Sequence, residues 1–131
     1  MPPYTNFQLT KAERRSIFHF KCDNEGKKTS DTRQFRYFIV MSAPEYNARS
    51  SHILGIPITD SNANDFVQHY GVQLDSDHFE SGNQFIKSFV MCDRPTRLSH
   101  ADANYPTKDR LSLDGYTAII ERVVKFMKSD I

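Results

Sequence analysis

Two apolar runs near the middle of the chain, Arg36-Tyr-Phe-Ile-Val-Met-Ser42 and His52-Ile-Leu-Gly-Ile-Pro-Ile-Thr-Asp60, constrain the fold more than anything else in it. Both are dense in aromatic and β-branched residues and too short for ordinary helices, so residues 35–42 and 52–59 read as strands. Pro44 to Arg49 reads as the turn that joins them. Each run carries one reactive side chain at an end, Arg36 in the first and Thr59 in the second. A third run, Ser88-Phe-Val-Met-Cys-Asp-Arg-Pro-Thr-Arg-Leu-Ser99, sets Arg94 and Arg97 just past a strand expected over Phe85 to Cys92. Together the runs predict a small β-core with a polyanion site at its rim, because a guanidinium offers a fixed charge and several donors to an anion.

The remaining segments fill in around that core. Residues 1–10 contain proline and no period, so they read as a loose arm, and Ile17-Phe-His-Phe20 reads as a short strand. Cys22 to Gln34 is polar, with Gly26 and Lys27-Lys28, and reads as a mobile loop. Pro57 belongs at an edge or beside a bulge, where its missing N–H is tolerated. Asp60 to Gln84 reads as a long polar connection with a short strand at Val72-Gln-Leu74. Beyond it the period changes. Tyr116, Ile119, Ile120, Val123, Val124 and Met127 have the spacing of an amphipathic helix, with Ser112 or Asp114 to cap its start and Lys125 and Lys128 to suit the dipole at its end. Several strands followed by one terminal helix imply an α+β or small-barrel architecture.

Charge and composition narrow the function classes. The 131 residues suit one domain that buries a core without metal or disulfide staples. The net charge of +1 hides an uneven distribution. Residues 11–36 hold eight basic and four acidic groups, whereas residues 60–86 hold five acids and no Lys or Arg, a pattern compatible with a phosphate backbone on one side only. No apolar stretch approaches the ~18 to 20 residues a membrane span requires. Cys22 and Cys92, behind an N-terminus without an apolar leader, read as reduced thiols of a cytoplasmic protein. No Cys/His cluster has metal-ligand spacing and there is no Gly-rich phosphate loop, so neither a metal nor a nucleotide cofactor is expected. Tyr37, Phe38, Phe85 and Phe89 read as core, and Tyr46, Tyr70 and Tyr105 as loop aromatics able to stack unpaired bases. His52 has the opposite parity to Thr59, and His19 stands where it could approach Arg36 across a neighbouring strand.

Arg36 before an apolar strand ending at Ser42, the Asn-bearing turn Tyr46-Asn47, then Ile56-Pro-Ile-Thr59, then an apolar strand ending Cys92-Asp93: this order resembles the PemK/MazF family of bacterial toxin endoribonucleases, over roughly residues 15 to 128. The resemblance implies an α+β, mainly β fold, a small SH3-like (CcdB/PemK-type) β-barrel with a C-terminal amphipathic helix. It implies a single toxin domain over 1–131, with 1–14 as an N-terminal extension. It also implies a homodimer in the bacterial cytoplasm that cleaves single-stranded RNA such as mRNA without metal or cofactor. The implied partner is a cognate antitoxin, through which alone the protein would meet DNA.

In that family the arginine opening the second strand and the threonine ending the third are the functional pair, which implies Arg36 and Thr59 as catalytic residues. Cleavage by the RNA's own 2′-hydroxyl builds negative charge on the phosphate, which a guanidinium stabilises. Arg36 stays protonated and is a poor base, so the general base is left unassigned. RNA binding is expected from Lys27, Lys28 and Arg33 in the basic loop, from Tyr46 and Asn47, and from Arg94 and Arg97. Three positions depart from the family pattern: Tyr37 follows the arginine in place of Pro, Asp60 follows the threonine in place of Ser or Thr, and Arg15-Ser16 replaces Gly-Asp at the first strand. Two other readings remain open. One is a non-catalytic RNA-binding barrel, which Asp60 favours. The other is a CcdB-like gyrase poison, whose C-terminal Trp-Gly-Ile has no counterpart in a chain without Trp that ends Ser129-Asp130-Ile131.

Overall fold

The two central runs form an antiparallel pair, β2 (Tyr37–Val40) and β3 (His52–Thr59), with Tyr37 opposite Ile58 and Val40 opposite Gly55. This is the computed structural model of the chain, and it describes residues 13–21, 35–59 and 70–128. The expectations for the N-terminal arm, Cys22, the loop with Lys27, Lys28 and Arg33, and Asp60 fall outside those residues. Around the central pair lie β1 (Ser16–Phe20), β4 (Gly71–Gln73), β5 (Phe79–Ser81), β6 (Phe89–Met91), β7 (Thr96–Ser99) and β8 (Ala103–Leu111). The sheet order is β4-β6-β3-β2-β1-β8-β5, antiparallel throughout, with β7 also on β3. The terminal helix is α2, Leu113–Lys128.

Strand alternation divides the buried side chains between two faces. Ile17, Ile39, Ile56 and Ile58 join Leu74, Phe85, Val90, Leu111, Ile119 and Val123 in one cluster; Phe18, Phe20, Phe38, Val40, Ile53 and Leu98 form the other. Burial on both faces explains why these strands read as almost continuous apolar runs. Val72 from β4 and Phe79 from β5, at opposite ends of the sheet order, both pack on the first cluster, so the sheet curls around α2 into a half-barrel. The fold is the mainly β, α+β barrel type with a C-terminal helix that the sequence predicts.

The helix also follows its pattern. The Ser112 hydroxyl accepts from the Gly115 N–H at 3.0 Å, so Ser112 rather than Asp114 caps the start. Ile119 and Val123 are buried, while Val124 and Met127 at the edge of the stripe are exposed. Gly115 is required by close approach, because a Cβ there would lie 2.5 Å from the His78 carbonyl oxygen. Cys92 is buried, and desolvation pushes its thiol up to about 12, so it is protonated and inert.

Several elements differ from the sequence reading. Pro44–Arg49 is not a turn but a short helix, α1, entered through extended Ala43 with Pro44 in its first turn. Pro57 lies in an interior strand rather than at an edge. The Met41 N–H bonds to the Leu54 carbonyl, so by alternation the Pro57 nitrogen points away from β2, into the gap where β7 has ended opposite Gly55 and β6 begins opposite Ile58. The strand expected over Phe85 to Cys92 is only Phe89–Met91, because residues 84–87 form a turn that ends with Lys87 at a φ of 76°. The polar stretch before it holds β4 and also β5, and the arginine-bearing stretch after it holds β7, followed by the nine-residue β8.

The turn at 84–87 is held by a buried charge. Asp109 Oδ2 accepts from the Gln84 N–H at 2.9 Å and the Phe85 N–H at 3.3 Å, and Asp109 is only 4% exposed. Removing the carboxylate strands two backbone donors. Asp109→Ala is expected to lower unfolding stability by about 2–3 kcal/mol in urea titration; a loss below about 0.5 kcal/mol would mean that the turn is held by something else.

Candidate functional site

Extending the β2–β3 register by one residue sets Arg36 opposite Thr59, and both line one cleft of about 410 Å³ at the sheet's rim. Arg36 sits just before β2, where its carbonyl accepts from the Phe20 N–H at 2.7 Å, so its backbone is fixed while its side chain is exposed. Thr59 is the last residue of β3, opposite Phe89 of β6. The rest of the wall is Phe35, Tyr37, Ile58, Gln84, Phe85 and Ser88.

The far wall comes from the turn that Asp109 anchors. Leu74 N–H donates to the Ser88 carbonyl at 2.8 Å, and Lys87 N–H to the Leu74 carbonyl at 2.7 Å, which ties Ser88 to the chain following β4. Gln84, Phe85 and Ser88 thereby face a strand pair far from them in sequence. The site therefore combines a fixed cation, a hydroxyl and an apolar wall, a combination suited to a phosphodiester with an attached base.

The other expected residues distribute unevenly. The Arg94 guanidinium lies 5.6 Å from the centre of the Phe35 ring and pairs with Asp93 at 3.3 Å, so it flanks the cleft through Phe35. Arg97 is on β7 opposite Leu54, five residues from Thr59 along β3. Tyr46 and Asn47 are on α1, at the other end of the β2–β3 hairpin, about 20 Å away by strand rise. Tyr46 is exposed, but Asn47 is fully buried, where its amide donates to the Ser42 carbonyl at 3.2 Å. The Ser42 hydroxyl donates to Asn47 Oδ1 and accepts from the Leu54 N–H. Asn47 thus braces the hairpin connection rather than facing a ligand. Lys27, Lys28 and Arg33 lie outside the described residues.

His19 does approach Arg36. Burial, and then the positive charge of Arg36, lower its pKa below the ordinary value, so the imidazole is neutral at physiological pH. The ring stacks on Tyr105 and its Nδ1 is 2.9 Å from the Asn104 amide nitrogen. Neither Asn104 nor Gln84 carries a motif that would mark it in the sequence; the β1–β8 pairing and the Asp109 anchor bring them in. His52 is at the start of β3, bonded to the Ser51 hydroxyl and remote from Thr59. Among the described residues no three His, Cys, Asp or Glu side chains gather as metal ligands would, and no helix is long and apolar enough to cross a membrane.

Comparison with known proteins gives one result by sequence and one by structure. The family model of the PemK-like, MazF-like toxin of type II toxin-antitoxin systems matches residues 13–127. Solved structures of similar fold include MazF from Deinococcus radiodurans, with a TM-score of 0.65 and 11% identity over 88% of this chain and 96% of that one. A mycobacterial endoribonuclease in complex with its cognate antitoxin gives 0.60 and 11% identity over 88% and 94%. A MazE-MazF complex from Deinococcus radiodurans gives 0.61 and 11% identity over 89% and 96%. No curated protein sequence matches.

The charge linkage at the rim is directly measurable. In an NMR titration of the His19 ring protons, the midpoint should fall below that of a free imidazole and move up in Arg36→Ala, because a cation nearby disfavours the imidazolium. An unmoved midpoint would place the guanidinium away from the ring.

Proposed function

The chain belongs to the PemK-like, MazF-like toxins of type II toxin-antitoxin systems, and from that premise we propose that it is a metal-independent endoribonuclease that cuts single-stranded RNA such as mRNA. The observation that carries the reading is the β2–β3 register, which brings Arg36 and Thr59 to one cleft. A 2′-hydroxyl attacks the adjacent phosphorus, the bond to the 5′-oxygen breaks, and the products are a 2′,3′-cyclic phosphate and a 5′-hydroxyl. Arg36 binds the phosphate and offsets the charge that builds on its oxygens; the proton that the 2′-hydroxyl gives up passes to solvent, and any proton that Arg36 passes to the departing 5′-oxygen is restored to it from solvent, so that it remains a cation. The Thr59 hydroxyl holds a phosphate oxygen or the attacking hydroxyl. Arg94, beside Phe35, supplies a second cation for the flanking backbone.

The partner proposed for the toxin is a cognate antitoxin, in line with the antitoxin complexes among proteins of similar fold. An acidic antitoxin segment would compete with RNA for the cleft at Arg36. The working form is proposed to be a cytoplasmic homodimer that meets DNA only through the antitoxin.

Purified protein incubated with a long single-stranded RNA in EDTA should give discrete fragments with 5′-hydroxyl ends. Arg36→Ala should lower the rate about 100- to 1,000-fold and Thr59→Ala about tenfold. RNA left intact by the wild type would replace this reading with a binding-only or gyrase-directed member of the fold.

A further inference from the structure

Four aromatic rings run in an unbroken row from the cleft outward across the sheet. Phe85 in the cleft wall meets Tyr37 edge to face at 4.9 Å, Tyr37 meets His19 edge to face at 5.0 Å, and His19 lies flat on Tyr105 at 4.6 Å and 4°. The row is set by backbone pairing, because Tyr37 is opposite His19 between β2 and β1, and His19 is opposite Tyr105 between β1 and β8. Side chains directly opposite in antiparallel strands share a face. Exposure rises along the row, from buried Phe85, through half-buried Tyr37 and His19, to Tyr105 at 46%.

Packing alone does not explain the outer end. The core of the sheet is complete without Tyr105, which belongs to neither apolar cluster. The ring is nevertheless set in place by the stack on His19 at 4.6 Å and 4°, and the neighbouring Tyr37 hydroxyl is the main cause that raises its phenol pKa. Asn104 beside it fixes the His19 ring. With one face of Tyr105 covered by His19, its exposure lies on the other face and the ring edge. A flat, exposed ring at the outer end of a row that starts in the cleft suits a planar group joined to an anion.

Resting on the endoribonuclease reading, we propose that Tyr105, backed by His19, is a stacking subsite for an unpaired nucleobase of the RNA whose phosphate lies at Arg36. The steps of about 5 Å between rings carry the row from the cleft to Tyr105 over a distance that a single nucleotide step or two spans. Stacking on a π-face accepts every base, so the subsite adds affinity and sets the path of the strand without selecting sequence. The neutral imidazole supplies a ring rather than a second charge.

The absence of Trp from the chain makes the test clean. Tyr105→Trp would give the protein a single indole, read by fluorescence while a short 2′-O-methyl RNA, which cannot be cleaved, is titrated in. Binding of a labelled copy of the oligonucleotide, followed by anisotropy, gives the Kd of each variant. The proposal predicts quenching of the indole with near wild-type affinity, retention of affinity in Tyr105→Phe, and a Kd about tenfold weaker in Tyr105→Ala. An oligonucleotide that binds Tyr105→Ala as tightly as wild type and leaves the indole unquenched would overturn the subsite while leaving the nuclease reading in place. Tyr105-dependent binding by a wild type that fails to cut RNA would uphold the subsite and sink the nuclease. No binding to the wild type would overturn both.

Discussion

Everything at the rim depends on the pairing register of β2 and β3. With Tyr37 opposite Ile58, the apolar residues of both strands divide between two buried faces, and the residues one step further, Arg36 and Thr59, meet where the pairing ends. A slip of one residue would turn Phe38, Ile39 and Ile56 to the wrong faces, which the core does not permit. The hydrophobic effect thereby fixes the position of a charged group. Arg36 need not be held by a partner of its own, because the strand it opens is locked on both sides and its carbonyl is tied to β1.

The second wall has a different cause. Of residues 84–88 only Phe85 joins the apolar core, while Gln84 and Lys87 are exposed and Ile86 is half-buried, so burial alone does not set the path of this turn. A buried carboxylate, Asp109, gathers their backbone donors, and Lys87 turns the chain through a left-handed conformation to reach Leu74. The left-handed conformation is costly for a residue with a Cβ, so the hydrogen bonds around it must be strong enough to hold it. The cleft is thus an apolar register on one side and a polar clamp on the other. The backbone positions that carry Arg36, Thr59 and the aromatic wall are thereby set by the fold itself.

What the sequence reveals follows from which elements bury apolar area. β1, β2 and β3 are legible as short, dense runs of aromatic and β-branched residues and α2 by its helical period, and the Arg36–Thr59 meeting follows once two antiparallel strands are drawn. β8 is opaque. In Ala103-Asn-Tyr-Pro-Thr-Lys-Asp-Arg-Leu111 only Asp109 and Leu111 are buried, Pro106 interrupts it, and its register with β1 shifts twice, so its strand character comes from its neighbours. Tyr105 therefore reads as a loop residue although it stands in line with His19 and Tyr37. β5 and β7, at three and four residues, carry too few positions for any period. Asn47 looks like a ligand-facing turn residue because the sequence cannot show that Ser42 and the Leu54 backbone fold over it.

The central claim is that Arg36 and Thr59 act on one phosphate as a unit that the β2–β3 register assembles. A double-mutant cycle on the single-turnover rate of RNA cleavage, using Arg36→Ala, Thr59→Ala and the double variant, measures that directly. The account predicts strong non-additivity, with Thr59→Ala costing little once Arg36 is gone. Fully additive losses would mean that the two residues serve different events, and the shared-phosphate account would be wrong.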